Sequence, residues 1–378
     1  MRERAGKSRR VVVKLGSNVL AGPQDGLDVA VVAGLAREIH AARAAGREIV
    51  VVTSGAVLAG RRKLGIAPAS PLDLDVAVKQ AIAAVGQVEI MRFWQSIFDW
   101  YGIAVGQILV TRDIVSVRSR FIAARHTLRQ LLDLDVIPIV NENDSVASEE
   151  IQLGDNDNLS AIVAGAVDAD LLVLLTDCDG LYSKDPRTNH DARLIDFVAL
   201  DDDGRDFRAG DSASGVGLGG MGTKVASARL AARTGAVTVI ANGKTQGTLT
   251  RVLAGESVGT IFEPSETPLR ARKRWLLFQD QPEGVLVVDA GAVAALCERG
   301  KSLLPGGVAE VIGDFDRGGV VEIRDAGGRA IARGLATYSA DEIRAIRGRR
   351  TDAIADALGF KLKDEVVHRD DMTLLEMP

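Results

Sequence analysis

The chain has 378 residues, of which 47% are hydrophobic, with 46 basic against 51 acidic residues and a formal net charge of −5. That length and apolar content can build two or three domains, while the acidic balance and an aromatic content of only 4% weigh against nucleic acid as the main partner, since such binding asks for a basic field and stacking rings. Cys178 and Cys297 lie far apart and match no metal spacing, so they read as reduced thiols in a cytosolic protein.

The basic start MRERAGKSRR leads into an apolar run of only five residues, too short for the core of a secretory leader. No stretch approaches the length of a membrane span, and a cytoplasmic protein is expected. Residues 11–15, VVVKL, predict a buried strand, with Gly16-Ser17-Asn18 as the turn at its C-terminal end. Open α/β sheets place ligands at that end. Among apolar neighbours, Lys14 is read as a ligand for negative charge rather than as a surface lysine.

Residues 28–45 have helical apolar spacing, with Gly46 as a stop signal. Residues 49–52 form a second strand that delivers Thr53-Ser54-Gly55-Ala56. These small residues let backbone approach a ligand closely, although a tight turn with Ser54 as helix N-cap fits equally well. Residues 73–101 read as a long helix whose Phe93, Trp94, Phe98 and Trp100 pack in the core or at a subunit contact. A strand over 103–110 and a helix over 119–132 follow. His40, His126, His190 and His368 are mutually isolated in sequence, so no histidine chemistry is assigned.

Residues 136–140 form a short apolar strand leading into NENDSVASEEIQLGDNDN. Its polar residues come as two packets at loop positions, Asn141 to Asp144 and Asp155 to Asn158, and the apolar run 159–167 follows. Amides and carboxylates so grouped suit a small ligand carrying both an amine and a carboxylate; a solvated turn and a helix start fit the same residues. Residues 171–175 are a fully apolar strand ending in Thr176-Asp177. Alternating strands and helices predict an α/β fold, a mostly parallel sheet covered by helices on both faces.

Residues 211–224, DSASGVGLGGMGTK, precede a helical run over 225–233. The stretch approaches a Walker A loop, but Thr223 stands where its lysine belongs. A glycine-rich loop opening a helix still offers N–H groups and a positive dipole end to phosphate. Strands over 236–240 and 259–262 close this part. Pro264, Pro268 and the basic cluster 270–274 mark a boundary. Beyond about residue 283 the pattern changes to strand 285–288, helix 290–297, strand 308–312 and a hairpin of 320–324 with 330–334 turning at 325–328. This smaller, largely β module carries ten basic and twelve acidic residues over 282–360, a net of −2 that argues against RNA despite the local patch Arg344, Arg347, Arg349 and Arg350.

Lys14 and Lys224 can converge on a triphosphate while the two polar packets hold an amino acid beside it. That describes phosphoryl transfer onto a carboxylate, which is already ionised at neutral pH and needs no general base. The barrier is an anion approaching a polyanion, and lysines, backbone N–H groups and Mg²⁺ lower it.

The motifs VVVKLGSN, VVTSGA, VNEND, GDNDNLSA, LLTDCDGLY, SGVGLGGMGTK and HRDDM, in this order and spacing, resemble the bacterial glutamate 5-kinases of the amino-acid kinase family over nearly the whole chain. The resemblance implies a catalytic amino-acid kinase domain over 8–265 and a PUA-like domain over 283–360; the acidic balance of the latter points to assembly or regulation rather than RNA binding. It implies ATP-dependent phosphorylation of the γ-carboxylate of L-glutamate with Mg²⁺, the first step of proline biosynthesis. Lys14 and Lys224 would contact the transferring phosphoryl group, and Asp157 would hold the two lysines. Ser54, Asp144 and Asn156 would bind glutamate, with Asp144 pairing its ammonium and Asn141 and Asp155 assisting. Thr176, Asp177, Leu218, Gly219, Gly220, Met221, Gly222, Thr223 and Lys224 would line the nucleotide site. No protein metal ligand is implied. Feedback by proline, hand-over to glutamate-5-semialdehyde dehydrogenase and a homo-oligomer are further implications. Leu218 departs from the family's usual threonine, so altered ATP affinity with activity retained is expected. The rival readings are a kinase for N-acetylglutamate, aspartate or carbamate, with Asp144 arguing against the acylated amine of N-acetylglutamate, which offers no positive charge to pair, and an RNA-binding PUA protein.

Overall fold

The structure is a computed structural model, and it describes residues 1–22, 26–66, 75–111, 117–146, 156–200, 220–266, 271–278 and 282–375. The chain divides into two compact units, Met1–Pro268 and Leu269–Pro378.

The first unit is built on an eight-stranded sheet. Its strands are β1 (Arg10–Leu15), β2 (Glu48–Val52), β3 (Val105–Val110), β4 (Ile137–Glu142), β5 (Leu171–Thr176), β6 (Phe197–Val198), β7 (Val237–Asn242) and β8 (Thr260–Phe262). They lie in the order β3-β4-β2-β1-β5-β7-β8-β6. Every pairing is parallel except β7 with β8. Strands β1, β2, β4 and β5 are buried almost throughout, which is why they read as unbroken apolar runs rather than as alternating ones.

One face packs Val11, Val13 and Leu15 into a core shared with helix Val29–Ala44 and the apolar face of helix Val76–Asp99. Asp28 caps the first of these helices by accepting from the N–H groups of Ala30 and Val31, and Asp75 caps the second through Ala77. Helix Asn156–Val167 and helix Met221–Arg233 pack against each other, and the former is buried along nearly its whole length.

Strand β3 begins at Val105 rather than at the expected residue 103. Helix Ala56–Leu64, not expected from the sequence, packs on helix Val76–Asp99. Two glycines permit that approach: a Cβ at Gly86 would lie 1.7 Å from the carbonyl oxygen of Ala56, and one at Gly60 would lie 1.9 Å from that of Ile82.

The second unit has a five-stranded sheet in the order β10-β9-β11-β12-β13, made of β9 (Gly284–Val288), β10 (Val308–Gly313), β11 (Val320–Arg324), β12 (Ala330–Ala336) and β13 (Val367–Leu374). The expected hairpin is β11–β12, antiparallel, with Gly328 in the left-handed region at φ 84° where its turn requires it. Strand β13 pairs with β12, so this sheet takes in residues past 360. Its core includes Leu286, Val321, Ile323, Tyr338 and Ile343.

Candidate active site

Strands β1, β2, β4 and β5 are parallel neighbours, so their C-terminal ends open on one edge of the sheet. That edge is where a doubly covered parallel sheet exposes backbone and loop groups to a ligand. Lys14 comes from the end of β1, Thr53 and Ser54 from the end of β2, Asn141 and Glu142 from β4, and Thr176 from β5.

Lys14 and Lys224 meet on Asp157. Lys14 Nζ donates to Asp157 Oδ1, and Lys224 Nζ donates to Oδ2 at 3.1 Å. All three side chains are buried, Asp157 completely. The pairing offsets the desolvation of the ions, which would otherwise be prohibitive. Asp157 lies in the first turn of helix Asn156–Val167, where the helix dipole favours a carboxylate. Thr223 Oγ1 sits 2.8 Å from the carbonyl oxygen of Gly220 and 3.3 Å from Asp157 Oδ2. Gly220 is the N-cap of helix Met221–Arg233. Met221, Gly222, Thr223 and Lys224 therefore form its first turn; the Lys224 N–H goes to the carbonyl oxygen of Gly220, and the N–H groups before it point to where an anion would sit. Leu218 and Gly219 of the preceding loop lie outside the described residues, as does Asp155.

The second cluster is amide-rich. Asn156 Nδ2 donates to Ser54 Oγ at 2.9 Å and to Asn141 Oδ1 at 3.2 Å. The oxygen Oδ1 of Asn156 is buried and has no hydrogen-bond partner among the described residues. Ser54 is not a helix cap: Gly55, at φ 92°, takes that position, and the Ser54 hydroxyl is turned to Asn156 instead. Asn141 and Glu142, expected in a loop, are the last residues of β4 and are buried there. Asp144 is half-buried two residues further on, and burial pushes its carboxyl up to about 6.

Asp177 follows β5. Burial alone would raise its pKa, but hydrogen bonds from Asn18 Nδ2 at 3.0 Å, from its own backbone N–H and from Thr176 Oγ1 at 3.1 Å, with the charge of Lys224, outweigh that. The carboxyl is held below its ordinary value. His40 stacks on Tyr101 with ring centroids 4.6 Å apart.

Two contributors went unread in the sequence. Gln87, on helix Val76–Asp99, is buried; its Nε2 donates to the main-chain oxygen of Glu142 at 2.9 Å, and its Oε1 accepts from Asn141 Nδ2 at 3.2 Å. Two turns along, Trp94 Nε1 donates to Thr53 Oγ1 at 3.2 Å. The available signal was a polar side chain on the apolar stripe of an otherwise core-facing helix.

The amino acid kinase family model matches residues 9–242, and the PUA domain model matches residues 284–358. The glutamate 5-kinase of Syntrophotalea carbinolica is 46% identical over 366 residues, covering 97% of each chain. That of Erwinia tasmaniensis is 48% identical over 366 residues, 97% of this chain and 98% of that one. A solved UMP kinase from Ureaplasma parvum covers 68% of this chain and 99% of its own at 14% identity, with a TM-score of 0.49, too loose a match to bear on any residue here. Nearly half of all positions are identical across almost the full length of the two glutamate 5-kinases, and the chain belongs to the amino acid kinase family and, within it, to the glutamate 5-kinases.

Proposed function

We propose that the chain transfers the γ-phosphoryl group of ATP to the γ-carboxylate of L-glutamate, and that the lysine pair on Asp157 carries the chemistry. A γ-carboxylate oxygen attacks the γ-phosphorus in line. The bond from that phosphorus to the β–γ bridging oxygen breaks, ADP leaves, and γ-glutamyl phosphate remains. No proton moves at the acceptor, because the carboxylate is already ionised. The demand on the protein is therefore positional and electrostatic.

Lys14 and Lys224 would place positive charge on the equatorial oxygens, with the start of helix Met221–Arg233 adding N–H groups. The observation that carries this reading is the convergence of both ammonium groups on the two oxygens of one buried carboxylate. Asp157 is committed to the two lysines, which makes it a holder of charge rather than a base. In the second cluster, Asp144 would pair the α-ammonium of glutamate, and Ser54, Asn141 and Asn156 would orient the substrate, with Asp155 assisting. Thr176 and Asp177 would line the nucleotide site. When bound, Mg²⁺ would neutralise β- and γ-phosphate charge.

No helix among the described residues is long and apolar enough to cross a membrane. The reading includes a cytoplasmic homo-oligomer, feedback by proline, and hand-over of the acyl phosphate to glutamate-5-semialdehyde dehydrogenase.

The test is ATP turnover with L-glutamate and Mg²⁺, trapping the acyl phosphate with hydroxylamine, with N-acetylglutamate and aspartate run in parallel. Hydroxamate from glutamate alone, lost in Lys224→Ala, is expected. Turnover with another acceptor instead would overturn the substrate assignment.

A further inference from the structure

We propose that Gln87 is a positioning residue that fixes which end of the Asn156 amide faces the substrate, and that the site thereby reads a protonated amine. The inference rests on the glutamate reading above and adds a residue and a selectivity to it.

A side-chain amide can turn over by half a rotation at little steric cost, exchanging a donor for an acceptor. Here the sense is anchored by main-chain groups that cannot exchange. The carbonyl oxygen of Glu142 only accepts, so the atom of Gln87 that faces it at 2.9 Å is the NH₂ nitrogen. The other end of Gln87 is then its oxygen, which accepts from Asn141 Nδ2 at 3.2 Å. The Asn141 oxygen must lie on the opposite side, where the N–H of Glu142 donates to it at 2.9 Å. Turning Asn141 over would set its NH₂ against that N–H, donor against donor, while Gln87 would lose its bond.

The same Asn141 oxygen accepts from Asn156 Nδ2. Asn156 is thus oriented as well, its nitrogen spent on Asn141 and Ser54. What remains is its oxygen, buried and without a partner among the described residues. The relay runs from the backbone of Glu142 through Gln87 and Asn141 to Asn156, and it ends in a fixed acceptor.

A buried acceptor held in this way favours a ligand that brings a donor and disfavours one that brings none. The α-ammonium of an amino acid supplies it, with Asp144 available for the opposite charge. A dicarboxylate lacking the amine leaves the oxygen unpaired. Gln87 touches no reacting atom in this scheme; it acts through Asn141.

The experiment compares L-glutamate with glutarate, which has the same two carboxylates and no amine, in the full-length enzyme and in Gln87→Met. Methionine keeps the length and volume of the side chain and removes both polar atoms. The expected result is that kcat/KM for glutamate falls about tenfold or more, the order of the loss of one well-placed hydrogen bond to the substrate. The value for glutarate and the KM for ATP stay within about twofold, so the ratio of the two acceptors collapses. Gln87→Leu is the second variant, and binding of each acceptor without ATP is the second measurement. An unchanged ratio in a folded variant would overturn the relay and leave Gln87 a packing residue. Equal use of both acceptors by the unaltered enzyme would overturn the amine selectivity, whereas no use of either would remove the glutamate reading and this inference with it.

Discussion

Lys14 and Lys224 stand on different oxygens of one carboxylate, although 210 positions separate them in the sequence. Lys14 rides on the central strand β1 and Lys224 on the first turn of helix Met221–Arg233, and Asp157 is completely buried between their Nζ atoms. One side chain thereby sets where two cations sit relative to each other.

Asp157→Asn tests that arrangement. Asparagine can accept from one lysine through its oxygen, but it turns an NH₂ toward the other, donor against donor. The displaced ammonium no longer meets the transferring phosphoryl group, so kcat is predicted to fall by about 10²–10³, the cost of losing one preorganised charge at a transition state. The KM for glutamate should move by only a few fold. Steady-state kinetics with both substrates varied decides it; a kcat within threefold of the starting enzyme would show that the carboxylate is dispensable for placing the lysines.

The pH dependence should come from Asp144. Its carboxyl is pushed up to about 6 by burial, above the ordinary value of 3.8. Below that pH it is neutral and cannot pair an ammonium. The KM for glutamate should therefore rise about tenfold per unit as the pH falls below 6, while kcat stays flat because bound substrate keeps the carboxyl ionised. The stability contribution has the opposite sense. A carboxyl raised on folding favours the native state most below its unfolded value and loses that advantage as the pH rises through 6. Asp144→Asn should show a high KM without this pH dependence, and a parallel acid rise in the variant would assign the titration to another group.

The strands were legible because central parallel strands are buried on both faces and leave continuous apolar runs such as Val11-Val12-Val13 and Leu171 to Leu175. The lysine pair was legible only in part. Each lysine sat in a telling local context, but nothing in spacings of 143 and 67 residues from Asp157 shows that they converge on it. That is a property of strand order. Gln87 left only the signal of a polar side chain on an apolar stripe, because its partners Asn141 and Glu142 lie on β4, more than fifty residues away in the sequence. The sequence β13, VHRDDMTL, has a polar centre and so lacks the apolar run by which the other strands were read.

Gly86 should be intolerant of any side chain. A Cβ there would meet the carbonyl oxygen of Ala56 at 1.7 Å, and helix Ala56–Leu64 would have to move. Forced overpacking of this kind costs about 1–3 kcal/mol or more, which outweighs the gain of somewhat under 1 kcal/mol that alanine brings to a helix interior. Gly86→Ala should unfold at lower urea, and because Gln87 is its neighbour the KM for glutamate should rise as well. A variant as stable as the parent would show that the two helices separate freely.

In the second unit, Glu322 offers a test that leaves the phosphoryl site untouched. It lies opposite Arg333 in the β11–β12 pairing, is 6% exposed, and accepts from Arg324 Nε at 2.8 Å and Arg333 Nη2 at 3.2 Å. Arg324 is the more exposed partner, so solvent screens its share and Arg333 carries more of the interaction. Glu322→Ala leaves Arg333 without this buried acceptor on its strand neighbour, a loss of about 1–3 kcal/mol. The expected outcome is a lower urea midpoint for the second unit with kcat per folded molecule unchanged. A fall in kcat at full folding would mean that this unit sets the rate of the first, and would make its sheet the place to look for regulation.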